Sequence, residues 1–217
     1  MEKTLHAQIK NLYFQPGDQL EAMVDNYVVD ILRGELVIEI QTGNFTNIRD
    51  KLIVLLSNRK LRLVYPIPVE KWIVRVGEDC TTPISRRKSP KRGRIEDLFG
   101  ELVRFPQLVK SDNFSLEVLM IQEEDIWCND AKGSWRRKHW SISDRRLLSV
   151  VGKVIFESPA DYQNLIPKDL TEVFTRRQLS VRLDIAPGLT GKMVYCLEKI
   201  GVLRRVGKLG KAYLYSL

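Results

Sequence analysis

The chain has 217 residues, 44% of them hydrophobic, and a formal net charge of +8 from 35 Lys and Arg against 27 Asp and Glu. That composition excludes general disorder. No apolar run approaches the ~18 residues of a membrane span, and the excess of positive charge favours a polyanionic partner, most simply nucleic acid. Cys80, Cys128 and Cys196 lie far apart, no Cys-x-x-Cys occurs, and His6 and His139 are the only histidines. A structural zinc site is therefore not expected, and the thiols suit a reducing cytoplasm. The opening MEKTLHAQIKNLY lacks the apolar core of a signal peptide.

Residues Glu2 to Tyr13 read as an amphipathic helix, with Leu5, Ile9 and Leu12 at helical spacing and Glu2 four residues from His6. Gln15-Pro16-Gly17-Asp18 is a turn, and Glu21 to Val24 leads into the next strand through a break or bulge at Asp25-Asn26. Tyr27 to Gln41 then reads as a β-hairpin. With Gly34-Glu35 as a two-residue type II′ loop, Arg33 faces Leu36, Ile31 faces Ile38, Asp30 faces Glu39 and Val28 faces Gln41. Strand alternation places Val29, Ile31, Ile38 and Ile40 on one core face and Asp30, Glu39 and Gln41 together on the other. Facing carboxylates repel at ~5 Å between Cβ atoms. They call for a cation between them, a shared proton, or plain exposure to water. Mg²⁺ uses one or two carboxylates together with phosphate oxygens.

The pattern of Asp30, then Glu39-x-Gln41 on adjacent strands, followed by a helix and another strand, resembles the PD-(D/E)XK nuclease superfamily over roughly the first 75 residues. The EIQ form is similar to the branch in which Gln replaces the usual Lys. The resemblance implies that Asp30 and Glu39 ligate Mg²⁺ or Mn²⁺, that Gln41 helps to position the attacking water, and that Glu2 on the first helix lies near the metal. Glu21 and Asp25 rank below these as further ligands. An amide carries no positive charge, so the Gln41 variant leaves open a slow or inactive enzyme.

Asn47 to Leu56 reads as a helix with Ile48, Leu52 and Leu55 on one side; Arg49 and Lys51 are expected at the solvated surface or within reach of a phosphate. Lys60 to Ile67 is a strand closed by Pro66 and Pro68, parallel to Leu36–Gln41, and Glu70 to Val76 adds an edge strand. Ser85 to Arg94 contains Arg86, Arg87, Lys88, Lys91, Arg92 and Arg94 with no aliphatic side chain to bury. It is expected to be a mobile basic loop that contacts nucleic acid. Ile95 to Val109 reads as one helix, Asn113 to Ile121 as a strand, and Gln122 to Asp125 as a surface acidic patch. Trp135 to Trp140 interleaves aromatic and basic residues, either a half-buried edge strand or a base-stacking cluster. The period of Arg145 to Phe156 is ambiguous between helix and strand.

Composition changes at Ser158-Pro159. Pro159 to Leu165 is a short helix, and Thr175-Arg176-Arg177-Gln178 fits a capping box with Phe174 and Leu179 as a staple. A turn at Ile185 to Gly188, a helix from Leu189 to Ile200 capped by Gly201, and a hairpin over Gly207 to Gly210 follow. This unit resembles winged-helix DNA-binding domains. The resemblance implies that Thr190, Lys192 and Lys199 face a major groove and that Lys208 and Lys211 touch backbone from the wing.

The expected architecture is α/β. A mixed sheet of restriction-endonuclease-like type, flanked by helices, occupies residues 1–157 with the basic loop at 85–94. A winged helix-turn-helix domain occupies 158–217. The expected function is metal-dependent hydrolysis of nucleic-acid phosphodiesters, DNA first, in the cytoplasm and away from membranes, with a homodimer left open. The alternatives are a non-catalytic DNA-binding or regulatory protein on a degenerate nuclease scaffold and an adaptor with a basic surface.

Overall fold

The computed structural model describes residues 3–130, 132–133 and 140–217. Helix α1 (Thr4–Tyr13) precedes an antiparallel meander of β1 (Gln19–Val24), β2 (Tyr27–Arg33) and β3 (Leu36–Ile40). Helix α2 (Arg49–Leu56), entered through a 3-10 turn, leads to β4 (Lys60–Val76), which runs parallel to β3. Strand β5 (Pro83–Lys88) folds back on β4, and β6 (Phe114–Cys128) and β7 (Ser141–Phe156) complete a seven-stranded mixed sheet of order β1-β2-β3-β4-β6-β7, with β5 beside the distal half of β4. The expected α/β class with a mixed sheet is what is found.

Near the turn the hairpin register is as expected, with Ile31 paired with Ile38 and Arg33 with Leu36, but the ladder does not extend to the expected Asp30–Glu39 and Val28–Gln41 pairs. Gly34 has φ +55 while Glu35 has no positive φ, the pattern of a type II′ loop. The Asp25-Asn26 break is a tight turn with φ +47 and +66, closing β1 on β2 at the Val24–Tyr27 pair. One expectation fails at Asp30. Ile31, Ile38 and Ile40 pack with Leu5 and Ile9 of α1, whereas Val29 joins the core on the opposite face, under α2. Both faces of β2 and β3 are therefore covered here, and the side-chain alternation switches between Val29 and Ile31. Opposite this point Glu21 has φ +49, a left-handed conformation uncommon for a side-chain-bearing residue.

Strand β4 passes through Pro66 and Pro68 instead of ending there. Between Val64, where β3 stops pairing, and Trp72, where β5 begins, one edge of β4 has no partner strand. Missing N–H groups are tolerated at such an edge. The gap is covered by the chain after β5, where Gly93 N–H donates to Pro68 O at 2.8 Å; a Cβ on Gly93 would lie 2.5 Å from that oxygen. Residues Glu70 to Val76 are thus the inner half of a long strand, not an edge. The basic run is a free loop only in part, because Ser85–Lys88 lie in β5, which pairs antiparallel with β4 with one irregularity at Arg75–Val76. The expected helix over Ile95 to Val109 is broken into two 3-10 turns around the short helix α3 (Phe99–Leu102). The acidic patch continues β6, with Glu123 and Asp125 3% exposed and held by Lys71 and Arg145. Residues 141–156 are strand, and their ladder with β6 shifts register three times. Such bulges blunt an open sheet edge against further pairing.

In the C-terminal part, Pro159–Leu165 is a short helix as expected, of 3-10 type. Strand β8 (Phe174–Thr175), α4 (Arg176–Leu183), α5 (Pro187–Ile200), β9 (Arg204–Leu209) and β10 (Ala212–Ser216) follow, forming a three-stranded sheet of order β8-β10-β9. The capping box is present: Thr175 Oγ accepts from the Gln178 N–H at 3.3 Å, and the Gln178 side chain accepts from the Thr175 N–H at 2.8 Å. The hairpin turns at Gly210-Lys211, so β9 contains the expected loop residues Gly207 and Lys208. Helix α5 packs on α3 and on the 3-10 turn Pro106–Lys110 as well as on α4. Leu98, Leu102 and Phe105 share one continuous core with Met193, Leu197 and Ile200.

The cysteine reading is corrected. Cys80, exposed in the β4–β5 turn, forms a disulfide with Cys128, buried at the end of β6, 48 residues apart; Cys196 is free and buried. Far-apart positions in sequence gave no sign that parallel β4 and β6 end side by side. Closing a loop of this length is worth about 2–4 kcal/mol. Cys80→Ser is expected to lower the non-reducing thermal midpoint, and reductant is expected to bring the wild type down to the same value.

Candidate functional site

The β2–β3 ladder stops at Ile31–Ile38, and the next positions toward the strand ends use side chains in place of main-chain pairing. The Ile40 N–H donates to Asp30 Oδ2 at 2.7 Å, and the Asp30 N–H donates to Glu39 Oε1 at 3.2 Å. The two carboxylates thus lock each other's strand. They do not share one face as expected. Asp30 reaches α1, where His6 Nε2 lies 3.2 Å from Oδ2; Glu39 reaches α2, where Lys51 Nζ lies 2.6 Å from Oε1. The Lys51 ammonium also donates to Val28 O at 2.6 Å.

The electrostatics of the pair are unequal. Burial raises the Glu39 carboxyl and the neighbouring Asp30 charge raises it further, to about 7, against the pull of Lys51. Burial works on Asp30 in the same direction, but the hydrogen bonds from His6 and the Ile40 N–H, with the charges of His6 and Lys51, outweigh it and hold Asp30 below the ordinary carboxylate value. A carboxyl raised from 4.5 to about 7 takes up a proton on folding between those values. Its contribution to stability is full below pH ~4.5 and is lost as pH rises through 7, by about 3 kcal/mol at most. Asp30, lowered, works with opposite sign and only in acid: its contribution is present above its unfolded pKa and is lost as pH falls through the folded one. Denaturant unfolding at pH 5 and pH 8 is expected to show the metal-free protein losing less stability with rising pH when Glu39 is replaced by Gln.

A buried Glu39 and a half-buried Asp30 offer hard carboxylate oxygens of the kind that Mg²⁺ or Mn²⁺ binds, with its shell completed by water and phosphate. Among the described residues no group of three or more His, Cys, Asp or Glu is placed to cage an ion without such help. Gln41 is turned along the chain. Its side-chain nitrogen donates to Gly43 O and, at 3.2 Å, to Asn44 O, tying β3 to the left-handed residue Asn44 that opens the next turn. Glu2 lies outside the described residues. Glu21 is paired with Lys10, and Asp25 sits in the exposed β1–β2 turn.

The residue that sequence reasoning undervalued is Lys51. It lies one helical turn before the buried Leu55, on the same side of α2, and this i, i+4 relation was the available signal.

Most of the expected nucleic-acid cations have local partners. Arg86 pairs with Glu124 at 2.7 Å and lies over the Trp72 ring, Lys88 and Arg92 both reach Glu70, and Arg94 pairs with Glu96 at 3.3 Å and donates to Asp184 O. Arg87 and Lys91 have no acidic partner among the described residues. In the C-terminal part, Thr190 is fully buried and bonded to Ala186 O, so it is not available to a groove. Lys192 donates to Gly100 O, Lys199 lies over Tyr195, and Lys208 lies over Tyr213. Of the Trp135–Trp140 cluster only Trp140 is described; Arg75 lies 5.1 Å from its ring centre.

Residues 3–157 match the family described as Domain of unknown function (DUF8091). The chain belongs to this family. The matched residues contain α1, the whole seven-stranded sheet and the Asp30–Glu39 pair. An uncharacterized protein from Treponema pallidum (strain Nichols) is 28% identical over 221 residues, spanning 99% of this chain and 84% of the relative. The similarity to that relative therefore extends through the C-terminal part, beyond the DUF8091 match. No solved structure matches at a significant level.

Proposed function

We propose that this DUF8091 protein is a metal-dependent nuclease-like enzyme acting on nucleic-acid phosphodiesters, with DNA as the first substrate to test. The observation that carries the reading is the juxtaposition of Asp30 and Glu39 on adjacent strands of an α-β-β-β-α-β unit, with Glu39 buried and raised to about 7 beside Asp30. Two like charges kept together at this cost of burial are relieved by a cation. The reading is supported by an element order that resembles a restriction-endonuclease-like sheet, and by a β8-α4-α5-β9-β10 order that resembles a winged helix.

In this reading Asp30 and Glu39 would hold the ion from the gap in the β2–β3 ladder where their side chains meet, with each also turned to a different helix. When bound, the metal would neutralise charge on the scissile phosphate and lower the pKa of a bound water. Lys51 supplies the positive charge that Gln41 lacks, and moving from Glu39 to a phosphate oxygen would place it on the substrate. His6 orients Asp30 through Oδ2, while Gln41 holds the turn that ends β3. The basic surfaces retain the polyanion in a salt-dependent way.

A second reading, DNA binding without cleavage, is favoured by one observation: His6 and Lys51 already partner both carboxylates. Calorimetric titration of Mn²⁺ in the presence of a non-cleavable oligonucleotide separates the two. Binding by the wild type, lost in a folded Asp30→Asn/Glu39→Gln protein, is the expected result. Oligonucleotide binding indifferent to metal in both proteins would favour the second reading.

A further inference from the structure

The C-terminal 60 residues contain ten Lys and Arg against five Asp and Glu, so this part holds five of the eight excess positive charges. The acids are not spread among these cations evenly. Asp169 pairs with Arg182, and Glu198 with Arg205. Arg176 and Arg177 at the start of α4, and Lys211 in the β9–β10 turn, have no acidic partner among the described residues.

These three cations line one cavity of about 570 Å³, together with Ser180, Tyr213 and Tyr215. Tyr213 and Tyr215, two residues apart on β10, both line it, with Tyr213 exposed and Tyr215 buried in its wall. The Tyr213 ring is itself fixed by cations, with Arg205 at 4.5 Å and Lys208 at 5.0 Å from its centre. Ser180 does not offer a free hydroxyl, since it donates to Ile185 O. What the cavity presents to a ligand is therefore unneutralised positive charge on one part of its wall and aromatic surface on another. A volume of this size lies within the ~300–1,000 Å³ usual for small-ligand sites.

The other cavities lack this combination. The 520 Å³ groove beside Cys80 contains Arg86, which Glu124 neutralises. The 260 Å³ cavity at Tyr65 sets Lys71 and Lys91 against Asp97, and Lys71 is taken by Glu123 and Asp125. The 400 Å³ cavity between Gln163 and Leu217 mixes Glu172 with Lys168 and Arg204.

We infer that the cavity between α4 and β10 binds a nucleoside phosphate, with Arg176, Arg177 and Lys211 on the phosphate and the tyrosine rings against the base. Arg and Lys bind phosphate as fork and point charge respectively, and stacking on an aromatic ring accepts any base. The same chemistry is offered by a free nucleotide and by the phosphorylated end of a strand. The site is separate from the Asp30–Glu39 pair and does not rest on its assignment, so either can fail alone.

The test uses the full chain and isothermal calorimetry with AMP, adenosine and inorganic phosphate. AMP is expected to bind at least tenfold more tightly than either fragment. Arg176→Gln/Lys211→Gln is expected to weaken AMP at least tenfold, and Tyr213→Ala is expected to bring AMP toward the affinity of phosphate alone. These side chains are exposed, and melting curves check that each variant is folded. In the wild type, AMP is also expected to shield Lys211 from acylation, read by mass spectrometry, which requires no variant. Short oligonucleotides with a 5′-phosphate or a 5′-hydroxyl then identify the source. A tenfold preference for the phosphorylated strand, displaced by AMP, assigns a strand end; AMP binding without that preference assigns a free nucleotide. No preference for AMP over adenosine together with an unshielded Lys211, or unchanged AMP affinity in the folded double variant, would overturn the inference.

Discussion

Glu39→Gln is expected to lower metal-dependent cleavage of DNA on the order of 10²–10³-fold or more, the range for losing one group that acts on charge developing in the transition state. The substitution is chosen because it keeps the shape of the site. A Gln oxygen can still accept the Asp30 N–H that Glu39 accepts now, and Lys51 keeps its bond to Val28 O. What is lost is the negative charge, so binding of the ion suffers while the β2–β3 junction survives. The thermal midpoint at pH 8 is expected to stay the same or rise, because an ionised carboxylate buried beside Asp30 has been removed. Lys51→Met makes the complementary cut. It leaves both proposed ligands and removes the cation; cleavage is expected to fall while Mn²⁺ binding holds or tightens, since Lys51, which pairs with Glu39, would compete with the ion for it. Wild-type cleavage by folded Glu39→Gln protein would remove Glu39 from the mechanism. Loss of cleavage together with loss of folding would instead make it a structural residue.

The hairpin that positions this pair was legible because its information is local. A Gly-x loop fixes register, and β-rich runs on either side leave one alignment that buries the isoleucines. The direction of each carboxylate was not legible. Alternation assumes an unbroken strand, and the switch at Asp30 depends on Glu21 of β1 adopting a left-handed backbone opposite it. Long-range charge pairing was hidden for the same reason. Glu123 and Asp125 look like surface residues until Lys71 and Arg145 arrive from the two flanking strands to partner them. Pro66 and Pro68 misled in the opposite sense, since proline ends a strand only where a neighbour needs its N–H, and here the edge is open. Lys51 was visible as a cation on a helix, but its inward direction follows from Leu55, not from its own chemistry.

Cutting the chain after Glu157 tests how far the two parts are one structure. The composition break at Ser158 suggests a separable domain, and a linker there would make residues 1–157 fold alone. The packing argues otherwise. Leu98, Leu102 and Phe105 of the α/β part are buried with Met193, Leu197 and Ile200 of α5, and Phe156 stacks on Tyr162 at 4.3 Å between ring centres. Each side chain of this size gives up about 1.5–3 kcal/mol when returned to water. The four that stay in residues 1–157, Leu98, Leu102, Phe105 and Phe156, together lose about 6–12 kcal/mol, comparable to the ~5–15 kcal/mol that holds a typical domain together. Residues 1–157 are therefore expected to lack a cooperative unfolding transition and to bind an apolar dye. In the full chain, Leu197→Ala is expected to cost about 2–5 kcal/mol and to shift a single transition seen alike by near-UV and far-UV signals. Two transitions, with only one displaced, would show that the C-terminal part is a separate folding unit. A single one means that whatever binds at Arg176 and Lys211 also acts on the stability of the sheet that holds Asp30 and Glu39, because a ligand that favours the folded state stabilises everything that unfolds with it.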